Sequence, residues 1–225
     1  MAGGVSVNGT GFQADYRGAL FWPERSLLAV ADLHLEKGSS YARSAQFLPP
    51  YDTAATLAKL EECLDQFCPA RVVCLGDSFH DGEGPARMSA EARQRLAEMM
   101  RGRDWVWIAG NHDPAPPEEL GGRVLEELVE GGIVFRHQAL ERAAPGELSG
   151  HFHPKATLRR RGRSISLRCF VGDGTRLILP SFGAYTGGLD VSAPQIRGLF
   201  SRPPQLWLLG RERVYRYREA DLTKA

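Results

Sequence analysis

The sequence contains no apolar run of about 18 residues, the length that a membrane-spanning helix requires. Its first segment, Met1–Asp15, also lacks the basic start and apolar stretch of a signal peptide. Cysteine is scarce, with four in 225 residues and no Cys-x-x-Cys pair. We therefore expect no membrane association, and buried free thiols in a reducing cytoplasm rather than disulfides or a zinc knuckle.

Net charge is nearly absent as well, because the 28 lysines and arginines almost balance the 27 acidic residues and leave a formal net charge of +1 at pH 7. Such a chain has no global field that draws it to nucleic acid or membrane, so any attraction of this kind must be local. Lysine occurs at only four positions, a bias that a GC-rich genome gives without any function. The apolar fraction of 43% is typical of a globular protein, and we expect one domain over residues 1–225.

Three short apolar runs read as strands that are buried on both faces, and each ends at a polar motif. The runs are Ser26–Ala31, Arg71–Leu75 and Asp104–Ala109. Apolar residues at helical spacing follow the first two runs, over Asp52–Phe67 and Ser89–Arg101. Alternation of strand, motif and helix predicts an α/β fold, in which ligands bind beyond the carboxyl ends of the strands.

The ends of these helices, and the rest of the chain, carry weaker signals. We expect Asp52 near one N-cap, Ser89 at the other, and Gly102 as the stop of the second helix. A shorter helix is predicted within Glu118–Glu130, ahead of a strand that starts at Ile133. After it, short alternating segments indicate a mostly antiparallel second half: Thr157–Leu158, Ser164–Val171, Arg176–Leu179 and Gln205–Tyr217.

Histidine shows the most informative distribution of any residue type. Five of the six histidines lie beside Asp, Asn or Gly in short motifs, and the sixth follows an apolar run. Hydrolysis of a phosphate ester needs a nucleophilic oxygen and neutralisation of charge on phosphorus, which two metals about 3.5–4 Å apart can supply. Such a pair requires a bridging carboxylate together with imidazole, carboxylate and amide ligands.

The motifs offer these ligand types at the ends of strands. Asp32 and His34 alternate along an extended backbone and so could reach one ion, and Asp77 at the next strand end is the natural bridge. Asn111 offers a neutral carbonyl oxygen, and the two histidines of Gly150–His153 could each take one ion. These residues favour a two-metal phosphoesterase site.

The set of motifs resembles the calcineurin-like metallophosphoesterase superfamily in order and spacing. The matching motifs are Asp32-x-His34, Gly76-Asp77, Gly110-Asn111-His112-Asp113, a lone His137 and Gly150-His151-x-His153. The resemblance implies a four-layer αββα sandwich and two divalent metal ions. It implies that one ion takes Asp32, His34, Asp77 and His153, and that the other takes Asp77, Asn111, His137 and His151.

The resemblance also implies roles for the residues around the metals. A hydroxide that bridges the metals would attack phosphorus in line, and His112 would act as general acid at the leaving group. Asp113 would orient the His112 ring through its other nitrogen. His80 and Asp81 are expected to support this site or to contact the substrate, although a self-satisfied loop pair explains them nearly as well.

Longer motifs narrow the resemblance. Ala31–Gly38, Leu75–Asp81, Gly150–Pro154 and Leu179–Gly188 look like the bacterial DNA ligase-associated phosphoesterase, a DNA damage response endonuclease. That family accompanies an ATP-dependent DNA ligase and a helicase, so both are expected partners here. The resemblance implies metal-dependent cleavage of DNA in repair. It favours Mn²⁺ as the metal, while the ligand types also suit Fe²⁺ or Zn²⁺.

Two further groups could contact the backbone of a DNA substrate. Tyr41 and Arg43, in the loop after the first motif, could hold a phosphate. A hairpin could place four arginines near the mouth of the site, although a solvated turn is an equal reading. These arginines are Arg159, Arg160, Arg161 and Arg163.

Two other functions compete with a DNA nuclease. A phosphodiesterase for a small substrate, such as a cyclic nucleotide or a nucleotide-lipid pyrophosphate, would use the same metals and the same His112. Only the arginine cluster and the family motifs favour DNA over this alternative. A non-catalytic scaffold would be expected to lose ligands or the acid histidine, and this chain keeps all of them.

Overall fold

Two β-sheets stack face to face in the computed structural model, which describes residues 3–43, 46, 51–114, 118–142, 144–160, 163–218 and 222. The first sheet has seven strands in sequence order, and its last four run parallel to one another. Its strands are β1 (Gly3–Val7), β2 (Thr10–Ala14), β3 (Leu20–Trp22), β4 (Leu27–Val30), β5 (Arg71–Leu75), β6 (Asp104–Ile108) and β7 (Arg123–Leu125).

The second sheet is mostly antiparallel, as the alternating segments predict. Its order is β15-β14-β12-β13-β10-β9-β8, with β11 paired to β12, and β10 is parallel to both of its neighbours. The strands are β8 (Glu127–Glu130), β9 (Ile133–Arg136), β10 (Glu147–Ser149), β11 (Lys155–Arg160), β12 (Arg163–Gly172), β13 (Arg176–Ile178), β14 (Gln205–Leu209) and β15 (Val214–Arg218).

Five helices complete the described chain. They are α1 (Lys37–Arg43), α2 (Asp52–Phe67), α3 (Gly84–Arg87), α4 (Ala90–Met100) and α5 (Pro194–Arg197). The longer two, α2 and α4, cover the outer face of the first sheet, and α5 packs on the outer face of the second. This arrangement of two sheets flanked by helices is the αββα sandwich that the resemblance implies, and it confirms the predicted α/β class. No described helix is long and apolar enough to cross a membrane.

The continuous apolar runs are explained by burial of both faces of the first sheet. Along β4, Leu27 and Ala29 point into the core between the sheets. Leu28 and Val30 point to the opposite face, into the core beneath α2 and α4. Because no side of such a strand meets water, its sequence shows no polar alternation.

The predicted helix within Glu118–Glu130 is wrong. The chain there forms a 3₁₀ turn at Glu118–Leu120 and then enters β7 and β8. Gly121 and Gly122 stop the turn, because both have the positive φ angles (75° and 83°) that a helix cannot contain. A Cβ atom on Gly122 would lie 2.9 Å from Trp107 Nε1, so the close approach of this segment to β6 also depends on glycine.

The predicted helix ends are partly confirmed. Ser89 caps α4, because its hydroxyl accepts a hydrogen bond from the Ala92 amide at 3.1 Å. Asp52 does not cap α2: Tyr51 holds the N-cap position, and the Asp52 carboxylate accepts instead from the Gly38 amide at 2.9 Å. The side chain of Asp52 therefore joins α2 to α1.

All four cysteines are free, as expected. Cys63, Cys74 and Cys169 are buried, whereas Cys68 is exposed at the end of α2, contrary to the expectation of buried thiols.

Candidate metal centre

The polar motifs meet at one edge of the two sheets because the strands that carry them run in the same direction. The segment after β4 continues beside the segment after β5: the Asp32 amide donates to the Gly76 carbonyl at 3.2 Å, and the His34 amide to the Asp77 carbonyl at 2.9 Å. In the second sheet the Gly150 amide donates to the His137 carbonyl at 2.9 Å. The ends of β9 and β10 are thereby joined in the same way.

Two clusters of possible metal ligands result. The first contains Asp32, His34 and His153, and the second contains Asp77, His137 and His151, with the ligand atoms of each cluster within 4.8 Å of one another. In the first, His34 Nε2 lies 3.2 Å from His153 Nε2. In the second, His137 Nε2 lies 3.1 Å from His151 Nδ1. Each cluster could hold a divalent ion.

Asp77 lies between the two clusters. Its Oδ2 is 3.9 Å from His34 Nε2, and its Oδ1 is 3.5 Å from His137 Nε2. Asn111 extends the second cluster, since its Oδ1 is 2.9 Å from His137 Nε2. The structure therefore brings together all seven residues of the predicted ligand set, including His137, which has no motif of its own.

The contacts of His137 show that this donor set fits a cation. Its Nδ1 lies 3.0 Å from the Leu75 carbonyl, to which the ring donates a hydrogen bond. In the neutral ring Nε2 then carries only a lone pair, yet it lies 2.9 Å from the amide oxygen of Asn111, which is also an acceptor. Two acceptors at this separation repel each other unless a cation binds both. Imidazole, carboxylate and amide ligands together suit Mn²⁺, Fe²⁺ or Zn²⁺.

His34 is held in the neutral form that binds a metal. Burial, reinforced by the neighbouring His153, lowers the pKa of His34 to about 2. A neutral imidazole is the form in which histidine coordinates metal ions.

The backbone at five of the ligands is left-handed, including Asp32 and His34, for which an extended backbone is predicted. The φ angles of Asp32, His34, Asp77, His151 and His153 lie between 43° and 70°. Asp and His tolerate this region better than most residues, but such conformations still cost on the order of 1–3 kcal/mol each. They persist where the surrounding structure fixes them, and here they turn alternate side chains toward one point.

Two glycines make the close packing of the motifs possible. A Cβ atom on Gly76 would lie 2.3 Å from His137 Nδ1. A Cβ atom on Gly110 would lie 2.2 Å from the Asp77 amide nitrogen. Neither contact is sterically allowed, so the glycine before Asp77 and the glycine before Asn111 are both required.

Amide groups of neighbouring motifs orient the two carboxylates. Asp32 Oδ2 accepts from the His151 amide at 2.9 Å, and Asp77 Oδ1 accepts from the His112 amide at 2.9 Å. These bonds tie the motifs of the first sheet to each other and to the second sheet.

His112 lies at the rim of the centre, with 42% of its side chain exposed. Its Nδ1 is 2.9 Å from the His80 carbonyl oxygen, to which it donates, and its Nε2 faces Asp77 Oδ2 at 4.0 Å. The His80 ring stacks on His112 with a centroid distance of 5.4 Å, and the ring centroid of Tyr41 lies 5.4 Å from that of His80. The ring of His112 is therefore positioned by His80.

Asp113 does not orient the His112 ring as predicted. Its side chain is buried, and Oδ2 accepts from the Phe79 amide at 3.0 Å, so it braces the loop that follows β5. Burial, with the charge of Asp77 nearby, raises the pKa of Asp113 to about 7. The carbonyl of His80 already occupies the ring nitrogen that Asp113 was expected to bind.

The other predicted contacts divide into two groups. Asp81 forms a bidentate ion pair with Arg87, with both N–O distances at 2.8 Å. Although burial alone would raise the pKa of Asp81, the hydrogen bonds from Arg87 lower it below its ordinary value. Arg43 is paired with Glu83, and both Tyr41 and Arg43 lie in α1 rather than in the predicted loop. Of the four predicted residues only His80 and Tyr41 lie beside the rim of the centre.

The predicted arginine hairpin is present as β11 and β12. It begins at Lys155, two residues beyond His153, and Arg159 and Arg163 are exposed toward its far end. Four residues of strand carry Arg159 roughly 13 Å beyond Lys155. Arg161 and the side chain of Arg160 lie outside the described part of the chain. DNA contact by these arginines stays a prediction.

A second group of cations is not predicted by the sequence motifs. Lys59 and Lys155 line one pocket, and Lys37 donates to the carbonyl of Tyr185 in the wall of that pocket. The scarcity of lysine is the signal that could have revealed it, since three of the four lysines in the chain belong to this group.

Known proteins resemble this chain over most of its length. The family model for the calcineurin-like phosphoesterases matches residues 25–191. Among solved structures, a nuclease MPE from Pseudomonas putida is 28% identical with a TM-score of 0.76, and the match covers 96% of this chain and 100% of that one. The phosphoesterase Yfce from E. coli is 14% identical with a TM-score of 0.42, covering 85% and 97%. No curated protein matches the chain.

Proposed function

This chain belongs to the calcineurin-like phosphoesterase family, and from that membership we propose that it is a two-metal phosphodiesterase that cleaves DNA strands. The observation that carries the proposal is the position of Asp77 between two clusters of histidine and aspartate, with His112 at their rim. Its likeness to a solved nuclease over nearly the whole length of both chains supports a nucleic-acid substrate.

The residues divide naturally between two ions. Asp32, His34 and His153 would hold one, His137, His151 and Asn111 the other, and Asp77 would contact both. When bound, the two ions lower the pKa of a water molecule and neutralise charge on the phosphate oxygens. Mn²⁺ is the ion that we propose.

His112 supplies the proton for the leaving oxygen. Because Nδ1 donates to the His80 carbonyl, a proton that enters the ring binds Nε2, the nitrogen that faces the centre. Donation of that proton to the leaving oxygen completes cleavage of the P–O bond. His80 is a positioning residue, because its carbonyl and its stacked ring fix the plane of His112.

The cellular setting is a further part of the proposal. A DNA phosphodiesterase whose motifs look like those of the ligase-associated family would act in DNA repair in the cytoplasm, beside an ATP-dependent DNA ligase and a helicase. A pull-down from the source cells with the tagged, Mn²⁺-loaded protein, followed by identification of the captured proteins, tests this association.

Three substrates tested side by side decide the function. Purified, Mn²⁺-loaded protein is given single-stranded DNA, bis-p-nitrophenyl phosphate or a 2′,3′-cyclic nucleotide, with Asp77→Ala as control. We expect cleavage of DNA and of bis-p-nitrophenyl phosphate, with both activities absent from the control. Cleavage of only the small diesters would contradict the proposal and favour a small-molecule phosphodiesterase with the same centre.

A further inference from the structure

A second concave site lies apart from the metal clusters. It is a pocket of about 550 Å³ between α2, the β11–β12 hairpin and the loop of residues 183–187. Lys59, Lys155 and Arg168 line it, and Tyr185 forms part of its wall. Among the described residues that line this basic pocket, none is a carboxylate. Outside the lining, Asp190 interacts with the charge of Lys155 and Glu62 with that of Lys59.

Backbone carbonyl groups hold two of these cations in place. Arg168 Nη1 donates to the Ser181 carbonyl at 2.9 Å, and Lys59 Nζ donates to the Phe182 carbonyl. The ammonium of Lys59 also lies 4.1 Å from the centroid of the Phe182 ring. Carbonyl oxygens and an aromatic face position a cation without cancelling its charge, so the positive potential of the pocket remains available to an anion.

Burial disfavours the charged forms of two of these cations, and the charge of Arg168 adds to this effect at Lys59. Burial lowers the pKa of Arg168, and burial together with the charge of Arg168 lowers the pKa of Lys59 to about 7. An anion bound between the two side chains would favour their charged forms and relieve this repulsion.

The basic pocket is connected to the metal centre through its loop. The Gly183 amide donates to the Asp32 carbonyl at 3.0 Å, so the loop that forms the pocket also supports a metal-ligand segment. Lys155 lies two residues beyond His153. The two sites therefore share backbone while presenting different side chains.

A row of basic and aromatic side chains links the pocket to the rim of the metal centre. Lys37 Nζ donates to the Tyr185 carbonyl at 3.1 Å and lies 5.7 Å from the ring centroid of Tyr41. Tyr41 is next to His80, whose ring stacks on His112. Alternation of cations with aromatic rings is the arrangement that binds single-stranded nucleic acid, because it offers charge to phosphates and stacking surfaces to bases.

We propose that the basic pocket binds one nucleotide of a polynucleotide strand whose cleaved phosphodiester lies at the metal centre. The phosphate of that nucleotide contacts Lys59, Lys155 and Arg168, and its base packs on Tyr185, whose side chain is 48% exposed. This inference rests on the proposed function and deepens it, because a pocket separate from the reacting centre serves a long substrate and not a small diester.

Binding of fluorescein-labelled oligodeoxythymidylate, followed by anisotropy in chelator and over a range of salt concentrations, isolates the pocket from the metals. The neutral variant is Lys59→Met with Lys155→Met, which removes both charges and keeps most of the unbranched length of both side chains. The charged variant, Lys59→Arg with Lys155→Arg, retains them. A matched control is Arg211→Ala, which removes one exposed cation in the turn between β14 and β15, outside the pocket lining.

We expect the neutral variant to bind the oligonucleotide more weakly, with a salt slope smaller by about 0.7 for each phosphate that it no longer neutralises. Turnover of bis-p-nitrophenyl phosphate should stay at the wild-type level, and the charged variant should restore oligonucleotide binding. Circular dichroism confirms folding. If the neutral double variant is misfolded, Lys155→Met alone provides the same comparison.

Unchanged affinity and salt slope in the neutral variant would overturn the inference. The inference would equally fail if that variant stopped binding inorganic phosphate, measured by calorimetry, yet bound the oligonucleotide normally, because the pocket would then hold free phosphate. Cleavage of the same oligonucleotide by the Mn²⁺-loaded wild-type protein reports separately on the proposed function. An active nuclease with an irrelevant pocket is thereby distinguished from a protein that does not cleave DNA.

Discussion

The metal centre and the basic pocket both present positive charge to phosphate, but they are built in opposite ways. The metal centre consists of acceptors, namely carboxylates, imidazole nitrogens and an amide oxygen, and becomes positive only through bound ions. The basic pocket consists of cations held by carbonyl oxygens. Removal of metal should therefore abolish the positive charge of the metal centre and leave that of the basic pocket unchanged. Measurements in chelator can thus report on oligonucleotide binding without cleavage.

The largest expected effect is that of Asp77→Ala. Asp77 contacts both clusters and is held by the His112 amide, so its substitution should remove ligands of both ions at once. We expect turnover to fall to background and metal content to drop, measured by phosphodiester hydrolysis and by elemental analysis. Oligonucleotide binding in chelator should persist. A variant that keeps both ions and its activity would show that Asp77 does not join the two clusters.

His112→Ala should lower turnover by roughly 10²–10⁴ while metal content stays near that of the wild type. The physical reason is that, in the proposed mechanism, His112 would supply a proton and would not bind a metal. Steady-state kinetics and elemental analysis of the same preparation check both parts. Disappearance of both ions from this variant would contradict the role given to His112.

Chelation should destabilise the metal centre. Facing acceptors such as His137 Nε2 and Asn111 Oδ1 are stabilised by a cation that binds both. A metal ion present at a free concentration of 100 times its Kd should therefore add about 2.7 kcal/mol to the free energy of unfolding. Denaturant unfolding with and without chelator measures the difference. Chelator should lower the free energy of unfolding of Asp77→Ala much less than that of the wild type. An equal decrease in both proteins would show that the stabilising ion binds elsewhere.

The smallest effect concerns pH and the basic pocket. Burial and the charge of Arg168 hold the pKa of Lys59 near 7, against the opposing charges of Cys63 and Glu62. Lys59 therefore loses its proton as pH rises through about 7, and oligonucleotide affinity in chelator should be level below that pH and decline above it. Lys59→Arg should flatten the decline because guanidinium remains charged. Anisotropy titrations measure both pH profiles. The same decline of oligonucleotide affinity with pH in the wild type and in Lys59→Arg would show that Lys59 does not contribute to binding.

The same contrast separates what the sequence predicts from what it does not. Strand β5 and helix α2 match their predicted bounds because their signals, an apolar run and helical spacing, are local. Six of the seven proposed ligands could be found from short motifs, and His137 from its place after an apolar run. These segments end strands, and parallel strands bring their ends together. The left-handed backbone of five of these ligands could not be predicted, because it depends on contacts between motifs.

The predictions that are wrong concern segments whose structure depends on tertiary contacts. The segment Glu118–Glu130 has helical residues, but a glycine pair and the neighbouring β6 direct it into strands. Asp113 follows His112 directly and yet turns into the loop after β5. The basic pocket draws its cations from α2, β11 and β12, so no local pattern marks it.

Anomalous diffraction from crystals soaked in Mn²⁺ tests the two-metal centre most directly. We predict two peaks about 3.5–4 Å apart with Asp77 touching both. One peak should lie among Asp32, His34 and His153, and the other among Asn111, His137 and His151. A single peak, or two peaks that Asp77 does not connect, would contradict a two-metal phosphodiesterase centre at this edge of the sheets.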